Sequence, residues 1–171
     1  MLKRGLVRCS IIKIENGLKR NSEKEKNMPK EAPEWEICHE AEEIVKGLRE
    51  MYPEVLGHVD ASMVGCAMII NNPSPKSQKW DSKIKGIREP ESLFTSKLYV
   101  IYFYKDQWEK YTKIQREYML LRQLGRIGDD FDGAVLPESL KDDRMLVKKF
   151  GVDYMENPNI PDLLSEKQIL Q

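Results

Sequence analysis

Histidine is nearly missing from this chain: His39 and His58 are the only two in 171 residues. That leaves little material for a metal centre built on imidazoles, and no serine or cysteine nucleophile has a recognisable histidine partner. Cysteine is also scarce. Cys9, Cys38 and Cys66 are odd in number and none is spaced as C-x-x-C, which argues against a disulfide framework and against a cysteine zinc site. No apolar run reaches the ~20 residues that a membrane span requires. The first fourteen residues interrupt their apolar stretch with Lys3, Arg4 and Arg8, and lack the continuous core and cleavage site of a secretory signal. The expectation is a cytoplasmic protein without membrane association. A phosphate-cradling glycine loop is absent too, because Gly125 and Gly128 belong to a helix end. Asp129, Asp130, Asp132 and Gly133 lack the twelve-residue pattern and closing glutamate of a calcium loop.

What is present suits one domain with a real core, on length alone. Charged residues make up 33% and the mean hydropathy is −0.58. Net charge is zero but unevenly spread. Residues 1–30 carry nine Lys and Arg against three Glu, a net of +6, and the rest of the chain is −6. Residues 1–30 therefore read as a basic, disordered arm, or as an upstream extension with Met28 as the natural start. The functional alternative is an arm that touches nucleic acid or an acidic partner. Residues 31–171 read as a single folded domain.

Within that domain, Pro33 is placed to open a helix on which Cys38, Ala41, Ile44, Val45, Leu48 and Met51 recur at helical spacing. Pro53 would stop it. Val59, Ala61, Met63, Gly65, Ala67 and Ile69 alternate as one face of a strand over 58–70. Asn71-Asn72-Pro73-Ser74-Pro75 is a break. A short strand is expected over 82–88, and the aromatic and β-branched run 97–104 is the best strand of the chain. Asp106 and Trp108 start a helical turn. A long helix over 113–127 carries Ile114, Leu120, Leu121, Leu124 and Ile127, with Gly128 as its left-handed cap. An acidic loop, a helix over 138–150 capped by Gly151, and an extended tail over 157–164 complete the chain. The order gives an α+β domain, a small sheet packed against helices.

Tyr99 to Ile127, YVIYFYKDQWEKYTKIQREYMLLRQLGRI, resembles the phage metallopeptidase family, a zincin-like group. The aromatic strand, Trp108 and the Gln115-Arg116 step stand in the family's order. Phe150-Gly151-Val152-Asp153-Tyr154 and Ile160-Pro161-Asp162-Leu163-Leu164 resemble its closing elements, so that the resemblance spans about residues 34–165. It implies a helix ending in H-E-x-x-H. Two histidines one turn apart would ligate zinc, and the glutamate would take a proton from the metal-bound water. In this chain those positions are Arg122, Gln123 and Arg126. Guanidinium has no acceptor lone pair and stays protonated, and glutamine cannot serve as the base. The third ligand position falls on Glu138. No metal, cofactor or catalytic residue is therefore expected, although His39 and His58 could in principle take part in a rebuilt site.

For the two arginines the sequence leaves two readings. Either they pair with Glu138, Asp129, Asp130 or Asp142 and replace the metal as a cross-link, or they form an open positive floor for an acidic peptide, a phosphate or a nucleotide. The expected function is a catalytically inactive, metallopeptidase-like phage or prophage protein that binds an unidentified protein partner. The alternatives are an active metal-dependent hydrolase with a rebuilt site, and a nucleic-acid-associated protein using the basic arm.

Overall fold

The computed structural model describes residues 32–71, 80–137 and 144–165. The chain divides between Ala32 and Pro33. The unit that begins at Pro33 holds β1 (Trp35–Ile37), α1 (His39–Met51), α2 (Pro53–Leu56), β2 (Val64–Ile69), β3 (Ser82–Gly86), β4 (Tyr99–Tyr104), α3 (Lys105–Lys110), α4 (Lys113–Leu124) and α5 (Arg144–Phe150). The four strands form one mixed sheet in the order β1-β2-β4-β3. The central pair, β2 and β4, is parallel, and both outer pairs are antiparallel. The fold is α+β, and among the described residues no helix is long and apolar enough to cross a membrane.

One face of the sheet carries the core. Val64 and Cys66 lie beside Tyr99 and Ile101, and Ile84 beside Ile101, all buried. Against them pack Ala41, Val45 and Leu48 of α1 and Tyr118, Leu121 and Leu124 of α4. α1 follows its expected spacing, but it starts at His39: Pro33 leads into strand β1 instead of a helix. The second strand starts later than expected, at Val64. Asp60 accepts hydrogen bonds from the Ser62 amide (2.9 Å) and hydroxyl (2.7 Å) and caps a one-turn 3-10 helix over Ala61–Met63. That turn breaks the period-two phase before β2 begins, so Val64 and Cys66, not Gly65 and Ala67, face the helices.

Helix α4 is anchored at its start by a reciprocal cap. Thr112 Oγ1 accepts from the Gln115 amide, and Gln115 Oε1 accepts from the Thr112 amide, which satisfies two otherwise unpaired donors. It ends at Leu124, earlier than expected, with Gly125 in right-handed geometry. Gly128 is not a left-handed cap; among the described residues the glycines with positive φ are Gly133 and Gly151. Gly151 does end α5 as expected, donating to the Val147 carbonyl at 2.9 Å. The tail is not extended but turns back onto the helices: Tyr52 donates to the Leu163 carbonyl at 2.6 Å, and the Leu163 amide donates to Glu117 at 3.1 Å.

Candidate functional site

The last turn of α4 carries the first two motif positions, Arg122 and Gln123, toward edge strand β3. The Gly125 amide still bonds to Leu121, whereas Arg126 and Ile127 bond three residues back, to Gln123 and Leu124. The helix thus tightens as it ends, and Arg126 sits just beyond it.

Arg122 is largely buried. Its Nη2 donates to Asp81 Oδ1 and to Ser82 Oγ, the latter at 3.2 Å. Burial opposes the guanidinium charge, but the Asp81 carboxylate and Tyr154 outweigh it, and the group stays more firmly protonated than an ordinary arginine. Gln123 is fully buried, its Nε2 donating to Ser82 Oγ at 3.0 Å. Its Oε1 accepts from Arg126 Nη1 at 3.3 Å, and Arg126 Nε donates to the Leu136 carbonyl at 3.3 Å. Tyr111 reaches the other Asp81 oxygen at 3.4 Å, and burial followed by that carboxylate pushes its phenol up to about 12. The result is a continuous polar network that joins α4 to the start of β3.

The loop beyond α4 is fixed against the same edge. Ile127 bridges Val135, and Tyr99 donates to the Ala134 carbonyl at 3.2 Å while accepting from the Gly133 amide at 2.9 Å. A Cβ at Gly86 would lie 1.7 Å from the Gly133 carbonyl oxygen, so β3 must end in glycine for the loop to approach it.

These residues do not fit a zinc ion. Both arginines offer only donors, and Gln123 spends its amide on Ser82. Among the described residues no group of three His, Cys, Asp or Glu side chains is arranged to hold a metal. His39 is exposed at the start of α1, with Nδ1 3.1 Å from Glu42. His58 lies past the far end of that helix and bonds to the Ile127 carbonyl at 3.2 Å. Glu138 and Asp142 lie outside the described residues. The carboxylate that meets Arg122 is Asp81, not Asp129 or Asp130, because the buried end of α4 faces β3 while the acidic loop turns outward; Asp129 is fully exposed, 4.0 Å from His58. Sequence reasoning missed Asp81 and Ser82. Their one signal is a polar pair at the point where the alternating run of β3 begins.

The Gln115-Arg116 step is also held inside the fold. Gln115 Nε2 donates to the Met155 carbonyl at 2.6 Å. Arg116 pairs with Glu40 at 2.8 Å, donates to the Trp108 carbonyl at 3.0 Å, and stacks 4.8 Å above the Trp108 ring.

A mixed sheet with helices on one face, one of which delivers its C-terminal turn to an edge strand, defines an α+β protein whose candidate centre is that helix end. The family model described as "Putative phage metallopeptidase" matches residues 33–156, and the chain belongs to that family. No curated protein and no solved structure matches it.

Proposed function

We propose that this chain keeps the phage metallopeptidase fold as a protein-binding scaffold and does not hydrolyse peptides. It would act on a protein partner in a phage or prophage setting, in the host cytoplasm, with residues 1–30 as a basic arm outside the domain. The observation that carries this reading is the network Asp81–Arg122–Ser82–Gln123–Arg126. Hydrolysis by the family's motif needs two lone-pair donors to the metal and a carboxylate base. Here the two ligand positions are cations, and the base position is an amide that cannot take a proton from water at neutral pH. Admitting a metal would also require displacing the Arg122 guanidinium from its ion pair with Asp81.

The test is the metal content of native protein purified without chelator or metal-affinity resin, followed by incubation with a peptide library with and without added zinc. The expected outcome is a cooperatively folding protein with substoichiometric metal and no cleavage. Stoichiometric zinc accompanied by turnover would overturn the reading and favour a hydrolase with a rebuilt site.

A further inference from the structure

The edge of the sheet farthest from Arg122 is the short strand β1. In an antiparallel pair, residues alternate between those that bond to the neighbouring strand and those that turn their main chain away from it. The Cys38 amide donates to the Cys66 carbonyl, and the Ile70 amide to the Glu34 carbonyl, both at 2.9 Å. With Glu36 opposite Met68 in the same register, residues 34, 36 and 38 are the ones that face β2. Trp35 and Ile37 therefore direct their N–H and C=O groups outward. The two residues are 52% and 62% exposed, with their side chains on the sheet face opposite the helices. Glu34 and Glu36, also exposed, alternate with them. Just past Ile37 the edge borders a cavity of about 340 Å³ whose lining includes Ile37, Met68, Trp108, Glu40, Lys105 and Arg116.

We propose that this edge takes up an extended segment of a protein partner as an added strand, and that the segment alternates apolar and basic residues. The outward groups of Trp35 and Ile37 supply main-chain hydrogen bonds, and the cavity receives one side chain of the incoming strand, the division of labour between affinity and specificity in strand addition. The incoming apolar row lies beside Trp35 and Ile37, and its basic row lies beside Glu34 and Glu36, since opposite charges across strands stabilise and like charges destabilise. The same rule selects among occupants. Two copies of β1 would bring the glutamates of one against those of the other, and a nucleic-acid backbone would meet them with its phosphates. This edge carries glutamate between apolar side chains. The proposal gives the scaffold reading its partner class, but it does not depend on Arg122: a zinc-bearing chain would carry the same edge.

The experiment uses the full chain and a fluorescein-labelled heptapeptide of alternating valine and lysine, titrated by anisotropy. Two N-methylated versions block the amides of one edge of the peptide or of the other. The expected result is saturable binding, abolished by one N-methyl set and spared by the other, and weakened by about three- to tenfold when the lysines become glutamates. The double variant Glu34→Lys and Glu36→Lys, checked for unchanged circular dichroism, is expected to reverse that charge preference. No saturable binding by folded protein would overturn the proposal, as would equal binding of both N-methylated peptides. Disulfide-linked dimers formed by Ile37→Cys at micromolar concentration would overturn it in favour of a second copy. Zinc measured on the same preparation reports on the scaffold reading separately from peptide binding.

Discussion

Arg122 and Glu117 stand on the same helix, both charged and both withdrawn from water, and the fold treats them in opposite ways. Arg122 has a carboxylate, a hydroxyl and a phenol around it. Glu117 is completely buried, with one oxygen accepting from the Leu163 amide and the other 3.5 Å from the Lys113 ammonium. That lysine is itself largely exposed and is shared with Asp162 at 3.2 Å. Burial, reinforced by the Asp162 charge, raises the pKa of Glu117, whereas around Arg122 the partners outweigh burial. The comparison shows where this domain has matched a buried charge and where it tolerates one. The matched charge sits where the family resemblance would put a metal ligand, and the tolerated one sits where the tail closes over the helix layer.

The largest expected effect comes from removing one side of the matched pair. Arg122→Met leaves Asp81 partly buried without its cation. Breaking such a pair costs about 3 kcal/mol, a fall in Tm on the order of 10 °C for a domain of this size. Adding Asp81→Asn to that variant removes the orphaned charge and is expected to recover much of the loss, because a buried pair replaced as a unit is often near neutral. Thermal melts of the two single variants and the double variant give the coupling directly. Additive losses would mean that Asp81 and Arg122 do not act on one another, and the account of the network would be wrong.

The tolerated charge predicts a pH dependence of opposite origin. The folded-state pKa of Glu117 is raised from its ordinary value of 4.5, so between those two values the folded chain holds a proton that the unfolded chain releases. Stability therefore falls as pH rises through that window and is at its full value below the unfolded pKa. Glu117→Gln keeps an oxygen for the Leu163 amide and removes the charge. It is expected to stabilise the protein at pH 7, by less than the Arg122→Met loss, and to make little difference at pH 4. Denaturant midpoints at the two pH values check this, and a loss at pH 7 would show that the Lys113 contact outweighs burial.

The legible and illegible parts of the chain follow from what each feature depends on. Strand β4 and helices α1 and α4 follow local composition and period, and Gly151 ends its helix as its position implies. The phase of β2 depended on a side-chain cap at Asp60 that resets the alternation, and periodicity cannot register such a reset. Strand β1 is too short to show a period and lies where a proline favoured a helix. At the candidate site, Arg122, Gln123 and Arg126 were found because a motif fixes their spacing. Asp81 is far from them in sequence and is brought to them only by the antiparallel return of β3 onto β4. Partners that tertiary pairing assembles, unlike those that a helix turn assembles, leave no spacing to read.

The smallest expected effect distinguishes the two arginines from each other. Both occupy ligand positions of the motif, yet Arg126 meets a backbone carbonyl and the Gln123 amide oxygen, each at 3.3 Å, and pairs with no carboxylate among the described residues. Long hydrogen bonds to neutral acceptors at a partly open site contribute about 1 kcal/mol at most. Arg126→Ala should therefore lower stability by roughly a third of the Arg122→Met loss or less, leaving Gln123 Oε1 to water. If the two losses were equal, the arginines would form one cooperative unit, and the cross-link between α4 and β3 would extend through Leu136 into the loop beyond. If Arg126→Ala were neutral, the network would end at Gln123, and the second ligand position would be free of any structural duty. In that case its cation has to be explained by something it binds.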